Sequence, residues 1–482
     1  MFTRVPLTVA LAVMAGLPAL AVSANFLGFT PLTSSAGPLP IGGPEEATPI
    51  TLASARWSQR TIADRQTQHA LVPSSNSGNW DMIATNETGR NAGRYLFMPF
   101  ETGSAGVQRV DLKDPNYNTR TVTIVAPGTD SFVSGDASRW APWGGYLTGE
   151  ESWGTGSTKG RLFEVTNPVS AGPNGGTFVQ RNIIPRVSHE GLAFDRARNL
   201  YFVDELNGGA IYKYVSAKPY ATTGDEYFAA GQTFALKVGA GGQFEGNNGP
   251  AITGAATWVA ITNATGGPLA GVSVVLPDLS IDGRASADDN DVLATGYNRP
   301  EDLELQRLGR RTQLLYFATT DSDINADGND GTSRVYTLNL ATTEVRLFAS
   351  PQTTDLATGL PVGVGLRNAD NVAIDGDGNI YIIEDRNGGV DDDIWFANDM
   401  NKDGDLLDAG EGLARWASNG TQGSEFTGLY FERNDESHRE GDDREREGRK
   451  RRRAFVNIQH PASGVDRLIE ISYGRTSDDR DE

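Results

Sequence analysis

Acidic residues recur at one end of a repeated hairpin pattern in this sequence of 482 residues. The clearest copy is EGLAFDRARNLYFVDE, residues 190–205, in which an acid precedes one alternating apolar run and two acids follow the next. The same design recurs at residues 301–321 and 370–385. Carboxylate oxygens are the ligands that hard cations such as Ca²⁺ prefer, and bound cations polarise phosphoryl or carbonyl oxygens. The repeat therefore predicts a site that holds several metal ions.

The candidate metal ligands stand at equivalent ends of these hairpins. They are Glu150, Glu190, Asp204, Glu205, Glu301, Asp302, Asp370, Asn371, Glu384 and Asp385. One such acid taken alone is most often a turn residue or a cap. The prediction rests on the same position being acidic in successive repeats.

Three further side chains could serve this site. Arg299 stands two residues before Glu301 and is the candidate catalytic residue, because a guanidinium binds phosphate or carboxylate through paired hydrogen bonds. Its alternative role is an ion pair with the neighbouring acids. His189 and His460 could orient the ligands or transfer protons, and a hydrogen-bonded core histidine is the alternative for each.

A separate, local metal signal lies in DMNKDGD, residues 399–405. Asp399, Asn401, Asp403 and Asp405 place oxygen atoms at alternate positions around a glycine turn, as a calcium loop of the EF-hand type requires. Either Asp408 or Glu411 could complete such a loop. An Asp- and Gly-rich turn that binds no metal is the alternative.

The elements that must position these residues are short strands. Apolar residues alternate with period two, and Gly, Asp or Asn separate the runs. Such hairpins cannot bury an apolar face alone, and repeated units of this length stack into a propeller or a solenoid. We expect an all-β protein, a six-bladed β-propeller with inserted loops and short helices on the top face. Its axis would gather the acids, which repel one another unless cations neutralise them.

Composition shifts predict the boundaries of this propeller. Residues 1–24 are typical of a signal peptide, because Arg4 precedes an apolar run and small residues precede Asn25. An uncleaved membrane anchor is the alternative. The remaining expected segments are an extended lead-in at 25–75, the propeller at 76–472, a top-face insertion at 216–295, a mobile charged insert at 432–453 and a disordered tail at 473–482.

Charge and cysteine content exclude several classes of function. The formal net charge is −20, with 62 acidic against 42 basic residues, so nucleic acid is not an expected partner. The chain has no cysteine, which excludes disulfides, thiolate nucleophiles and Cys-ligated metals. We expect an exported monomer, periplasmic or extracellular, with no membrane span after signal removal.

Several segments together resemble a known family. WAPWGGYLTGEESWG, VSHEGLAFD, NRPEDLEL and NADNVAID are similar to segments of the PhoX-type alkaline phosphatases, and the resemblance runs from about residue 26 to 471. It implies a six-bladed propeller with iron and calcium ions on its top face, which hydrolyses small phosphate monoesters. It also implies that Arg299 grips the phosphate. The ligands carried over are Glu150, Glu190, Glu301, Asp370 and Glu384, with either Asp204 or Glu205.

One position departs from the family pattern. The segment matching LTGEE reads LTCEE in that family, where the cysteine binds iron, and here the position is Gly149. Ca²⁺ is therefore the expected cofactor, and Fe³⁺ would have to bind without that thiolate. The alternative functions are a calcium-dependent propeller hydrolase of lactones or other esters, and a non-catalytic binding protein stabilised by calcium.

Overall fold

A computed structural model describes residues 28–71, 78–246, 249–309, 311–320, 333–386, 392–432 and 453–473. The predicted signal peptide, residues 433–452 of the charged insert and nearly all of the predicted tail lie outside the described residues. No helix within these ranges is long and apolar enough to cross a membrane.

Short strands account for most of the regular structure. Those of the first half are β1 (Ile50–Leu52), β2 (Trp57–Asp64), β3 (Ala84–Thr85), β4 (Tyr95–Pro99), β5 (Val107–Asp111), β6 (Thr121–Val125), β7 (Gly135–Trp140), β8 (Tyr146–Glu150), β9 (Leu162–Val165), β10 (Phe178–Gln180), β11 (Leu192–Phe194), β12 (Leu200–Val203), β13 (Asn207–Gly209), β14 (Ile211–Ser216), β15 (Gly231–Val238) and β16 (Gly254–Ala260).

The second half continues in the same way. Its strands are β17 (Val274–Val275), β18 (Ile281–Asp282), β19 (Tyr297–Asn298), β20 (Pro300–Leu308), β21 (Thr312–Thr319), β22 (Arg334–Asn339), β23 (Glu344–Ala349), β24 (Ala369–Ile374), β25 (Ile380–Glu384), β26 (Asp393–Asn398), β27 (Gly412–Asn419), β28 (Glu425–Phe431), β29 (Arg453–Gln459) and β30 (Arg467–Tyr473). The helices are α1 (Arg65–Leu71), α2 (Gly224–Tyr227) and α3 (Gly283–Ala287), and short 3-10 turns span Pro44–Ala47, Thr129–Ser131 and Gly363–Gly365.

Five antiparallel sheets of four or more strands build the fold. Three have four strands, in the orders β3-β4-β5-β6, β10-β9-β8-β7 and β2-β30-β29-β28. One has five strands, β1-β27-β26-β25-β24, and one has nine, β11-β12-β14-β15-β16-β23-β22-β21-β20. Two small ribbons, β13-β19 and β17-β18, lie outside these sheets. The arrangement is all-β and propeller-like, which confirms the fold class at that level.

Both ends of the described chain meet in one sheet. Strand β2 pairs with β30, so that Trp57 lies opposite Tyr473. The predicted lead-in at 25–75 thus supplies two sheet strands, β1 and β2. The predicted insertion at 216–295 likewise supplies β15 and β16 to the nine-stranded sheet. At the ends of the charged insert, Arg453 Nη2 lies 2.6 Å from Glu432 Oε1 and joins the ends of β28 and β29.

The core lies between neighbouring sheets, because the alternating apolar residues of each strand pack against the next sheet. Trp416 on β27 is fully buried and contacts Trp57 at a ring-centroid distance of 4.9 Å and Tyr381 at 5.3 Å. These contacts link the five-stranded sheet to the sheet that joins the two ends of the chain. Trp416 therefore helps to hold β2, the strand that pairs with the last strand of the described chain, against the hydrophobic core.

Replacing Trp416 with alanine should lower the free energy of unfolding by about 3–5 kcal/mol, because the cavity left by a buried indole does not collapse fully. Denaturant unfolding monitored by circular dichroism would measure the change. Trp153→Ala is the matched control, since 49% of that side chain is exposed, and its effect should stay below about 1 kcal/mol. Equal losses in the two variants would contradict this assignment of the core.

Candidate active site

One acidic cavity of about 190 Å³ collects side chains from all five large sheets or from the segments next to them. Ten carboxyl groups and one guanidinium line it. The lining residues are Asp81, Glu101, Asp136, Glu151, Trp153, Glu190, Glu205, Arg299, Glu301, Asp370, Asp385, Glu425, Thr427 and His460. Such an excess of acid at one point is unstable without cations, because like charges in a buried site repel strongly.

Strand ends position these carboxyl groups. Glu425 is the first residue of β28 and Asp370 the second of β24. Glu151 and Asp385 directly follow β8 and β25. Acids thus precede or open the first strand of a hairpin and close the second, which is the pattern that the repeat predicts.

Five predicted ligands lie in the cavity together with Arg299 and His460. They are Glu190, Glu205, Glu301, Asp370 and Asp385. The other five do not line the cavity, because each of their side chains is held by hydrogen bonds to other parts of the fold. They are Glu150, Asp204, Asp302, Asn371 and Glu384.

Glu150 and Glu151 show how a pair of adjacent acids divides its roles. Adjacent residues of a strand point to opposite faces. Glu151 therefore lines the cavity, whereas Glu150 is fully buried behind it and pairs with Arg161, with Nε to Oε2 at 2.7 Å. Glu150 also accepts a hydrogen bond from the Val133 amide at 3.2 Å. Of this pair it is therefore Glu151, and not the predicted Glu150, whose side chain lines the cavity.

Asp204 and Asp302 hold backbone rather than face the cavity. Asp204 Oδ1 accepts a hydrogen bond from the Ser188 amide at 2.9 Å, and Asp302 Oδ2 accepts one from the Val372 amide at 3.1 Å. Burial raises the pKa of each carboxyl to about 7. In each pair the adjacent acid, Glu205 or Glu301, lines the cavity instead.

Asn371 and Glu384 are also occupied elsewhere. Asn371 Oδ1 accepts a hydrogen bond from the Gly428 amide, which joins β24 to β28. Glu384 Oε1 accepts hydrogen bonds from the Arg367 amide and from Trp395 Nε1, both at 2.9 Å. Their chain neighbours Asp370 and Asp385, which are also predicted ligands, line the cavity instead.

Besides Glu151, the sequence prediction missed four cavity acids: Asp81, Glu101, Asp136 and Glu425. Each stands at a hairpin end in a weaker copy of the repeat, so the signal was the acid immediately before or after an apolar run. Asp81 and Glu101, for example, flank the hairpin formed by β3 and β4.

His189 does not line the cavity. It is fully buried against Phe202, and neither ring nitrogen has a hydrogen-bond partner among the described residues. Burial lowers the pKa of this imidazole to about 3, so the ring is neutral. A Cβ added at Gly149 would lie 2.4 Å from the His189 Cβ. His189 therefore fills the space into which a side chain at position 149 would project.

Burial dominates the electrostatics of the cavity. It raises the pKa of seven carboxyl groups well above their usual values, and neighbouring carboxylates raise it further. These are Asp81, Asp136, Glu151, Glu190, Glu301, Asp370 and Glu425. Carboxyl pairs within hydrogen-bonding reach are Asp136–Glu190, Glu151–Glu205 and Asp385–Glu425. Each pair can share a proton or exchange it for a cation.

The donor geometry fits metal ions. Four groups of side chains have ligand atoms within 4.8 Å of one another: Glu101, Glu425 and His460; Asp81, Asp136 and Glu190; Glu151, Glu190 and Glu205; Glu190, Glu301 and Asp370. Glu190 belongs to three of these groups and could bridge neighbouring cations. Asp136 Oδ1 and Glu301 Oε1 are buried without a hydrogen-bond partner among the described residues. Oxygen donors alone suit hard cations such as Ca²⁺.

Arg299 is the single guanidinium in the cavity lining. Its Nη2 lies 2.6 Å from Glu205 Oε1 and 3.4 Å from Glu301 Oε1. These carboxylates raise the pKa of Arg299, so it stays charged. Its backbone φ of 44° is left-handed, a conformation that costs a non-glycine residue energy.

His460 is the last of the lining residues along the chain and directly follows β29. Its Nε2 lies 3.3 Å from Glu425 and 3.4 Å from Glu101. A hydrogen bond to Glu101 raises the pKa of His460. The imidazole can therefore act as a proton donor to a group bound in the cavity.

The predicted calcium loop is an ordered turn with its own hydrogen bonds. The Gly404 amide donates to Asp399 Oδ2 at 3.2 Å, and the Asp403 amide donates to Asn401 Oδ1 at 2.9 Å. Its carboxylates do not form one of the close ligand groups found among the described residues. Calcium binding by this loop stays a prediction.

Comparisons with known proteins show the family to which this chain belongs. Residues 70–462 match the family model described as Alkaline phosphatase PhoX. The chain belongs to the PhoX family of alkaline phosphatases. This confirms the predicted family and, at that level, the predicted phosphoric monoester hydrolase. No curated protein matches the sequence.

One solved structure supports the fold. Pseudomonas fluorescens PhoX in complex with vanadate, a transition state analogue, shares 15% identity over 93% of this chain and 98% of its own, with a TM-score of 0.60. More distant matches include an ulvan lyase of family PL25 (10% identity, 88% and 98% coverage, TM-score 0.38) and a Bacteroides thetaiotaomicron protein of unknown function (12% identity, 86% and 76% coverage, TM-score 0.37).

Proposed function

We propose that the chain is an exported, metal-dependent phosphomonoesterase that hydrolyses small phosphate esters in its acidic cavity. The observation that carries this proposal is the convergence of ten carboxyl groups around Arg299 in a chain of the PhoX family. Calcium is the cation that the oxygen donors favour. Fe³⁺ would bind without a thiolate, since Gly149 carries no side chain and His189 fills the adjacent space.

The residues divide the work by their chemistry. Glu151, Glu190, Glu205 and Asp370 would hold cations, with the other cavity acids completing their shells. Bound cations would neutralise substrate charge and polarise the phosphoryl oxygens. Arg299 would then be free to turn its guanidinium from Glu205 to the phosphate and stabilise the charge that develops on it.

The same proposal extends to architecture and location. We infer six blades, with the nine-stranded sheet formed by two of them joined through the short β16–β23 contact at Gly254 and Ala255. Export would follow from the apolar run between Arg4 and Asn25. The mature domain would then begin with the strands of the 25–75 segment, which complete two of the sheets.

One preparation tests the proposed function. Purified full-length protein is analysed for its metal content and assayed with p-nitrophenyl phosphate before and after chelation. We expect bound calcium and turnover that chelation abolishes and metal restores. Absence of turnover with calcium, with other divalent metals and with added iron would overturn the phosphatase. A metal content without calcium would overturn the assignment of the cation.

The adjacent pair Glu150 and Glu151 supplies a further prediction with a built-in control. Glu151→Gln should lower bound metal and reduce kcat about 10-fold or more, because a cavity ligand loses its charge. Glu150→Gln should keep its metal but lower the free energy of unfolding by about 3 kcal/mol, because Arg161 loses its buried partner. Metal analysis and denaturant unfolding of both variants measure this. The reverse assignment of the two effects would restore Glu150 as the ligand.

A further inference from the structure

An exposed tryptophan lies at the mouth of the acidic cavity. Trp153 belongs to the lining, and 49% of it is exposed to solvent. The open part of this ring offers apolar, aromatic surface to a ligand bound in the cavity. The metal ligands account for the acidic wall of the cavity but leave Trp153 without a role.

The guanidinium of Arg299 packs against this ring. The Arg299 Cζ lies 4.5 Å from the centroid of the Trp153 ring, within the range of a cation–π contact. The aromatic surface and the anion-binding group are therefore adjacent. A phosphate held by Arg299 would carry its ester substituent past the exposed part of Trp153.

Buried charges fix the loop that carries Trp153. Arg284 on α3 donates to the Ser152 carbonyl and to the Ser157 carbonyl, both at 2.7 Å. Asp282 accepts a hydrogen bond from the Gly156 amide at 2.6 Å. Two clamps therefore hold the loop on both sides of the ring.

These clamps are well built. The Arg284 and Asp282 side chains are 1% and 0% exposed and pair with each other at 2.8 Å. Both terminal nitrogens of Arg284 also donate to backbone carbonyls, and a buried ion pair held in this way has a defined geometry. The backbone on both sides of the ring is thus held in place, which lowers the entropic cost of stacking a ligand on the ring.

We propose that Trp153 is a specificity-determining residue that stacks against the leaving group, so that the enzyme favours phosphate monoesters with a planar aromatic substituent. This inference rests on the proposed function, because it places the phosphate of the substrate at Arg299. It adds a selective contact with the part of the substrate that differs from one ester to another.

Binding of two phosphonates to the metal-loaded, full-length protein tests the proposal without turnover. Phenylphosphonate and methylphosphonate share an anionic head, and only the first can stack. Isothermal titration should give a Kd for phenylphosphonate about 10-fold lower in the wild type. Trp153→Ala should reduce this preference to within about two-fold, and Trp153→Phe should retain most of it.

Tyr220→Ala is the matched control. Tyr220 is 67% exposed, and the Arg198 guanidinium lies 5.1 Å from its ring centroid, yet it does not line the acidic cavity. Its loss should leave the preference for phenylphosphonate unchanged. The ratio of kcat/KM for phenyl phosphate to that for methyl phosphate should change from one protein to the next in parallel with the binding ratio. The four proteins compared are the wild type, Trp153→Ala, Trp153→Phe and Tyr220→Ala.

Three outcomes would overturn the subsite. They are no preference in the wild type, a preference that survives in Trp153→Ala, and equal weakening of both phosphonates, which would make Trp153 a positioning residue for Arg299. The proposed function is judged separately by turnover. If phenylphosphonate binds through Trp153 while no phosphate ester is hydrolysed, the subsite stands and the phosphatase fails. If esters are hydrolysed and neither phosphonate binds, the subsite fails and the phosphatase stands.

Discussion

Replacing Arg299 with alanine is expected to lower kcat/KM for p-nitrophenyl phosphate by about 1,000-fold, the effect of removing a preorganised donor from a site of developing negative charge. Arg299 is the one guanidinium among the lining residues, and it already contacts two carboxylates there. Arg299→Lys should recover only part of the loss, because an ammonium cannot form the paired hydrogen bonds of a guanidinium. Steady-state kinetics on metal-saturated protein measures both variants.

The chain offers a close structural match as a control. Arg415 lies 2.6 Å from Asp393 and 4.4 Å from the ring centroid of Trp395, which reproduces the ion pair and the stacking of Arg299. It does not line the acidic cavity. Arg415→Lys should therefore lower stability while kcat/KM stays within about two-fold of wild type. Similar kinetic losses in Arg415→Lys and Arg299→Lys would mean that Arg299 acts through the fold.

The sequence predicts where the site lies better than it predicts the chemistry of the site. Alternating apolar runs and polar turns predict hairpins, and equivalent ends of stacked hairpins converge. For this reason the repeat pattern alone assigns Glu190, Glu301 and Asp370 to one site, and all three line the cavity. The weaker copies around Asp81 and Asp136 carry the same acidic signal, but their apolar runs are shorter and interrupted.

Which member of each acidic pair faces the cavity could not be predicted. The ladder shifts register between Pro300 and Leu303, and again between Ala369 and Val372, so the acids sit within bulges. A bulge re-aims the side chain of each residue that it contains, and its position depends on hydrogen bonds to another strand. Local alternation alone therefore does not specify that Glu301 faces inward.

The pairing of β2 with β30, which brings the two ends of the described chain into one sheet, could not be predicted for a different reason. Strand β2 reads WSQRTIAD, which has few alternating apolar residues, and its partner β30 lies some 400 residues later in the chain. Its identity as a strand comes from pairing and from the burial of Trp57 against Trp416. Long-range pairing of this kind leaves little trace in local sequence.

Chelation is expected to destabilise the protein strongly at pH 8 and weakly at pH 5. Burial raises the folded-state pKa of cavity acids such as Glu190 and Asp370. A carboxyl group with a raised folded-state pKa favours the folded state while protonated. That stability is present at low pH and is lost as pH rises from the unfolded pKa of about 4 through the raised value. Without cations the charged cavity then repels itself, whereas bound cations replace the protons and keep the fold stable.

Thermal unfolding of metal-loaded and chelated protein across this pH range measures the effect. The melting temperature of the chelated form should fall by about 10 °C or more between pH 5 and pH 8, and that of the loaded form should change little. Replacing Glu190 by glutamine should flatten the curve of the chelated form, because an amide carries no charge at either pH. The control is Glu432→Gln on the surface pair with Arg453, which should leave the slope unaltered. A chelated protein whose melting temperature is constant or rises with pH would show that the cavity acids are neutralised by something other than protons and cations.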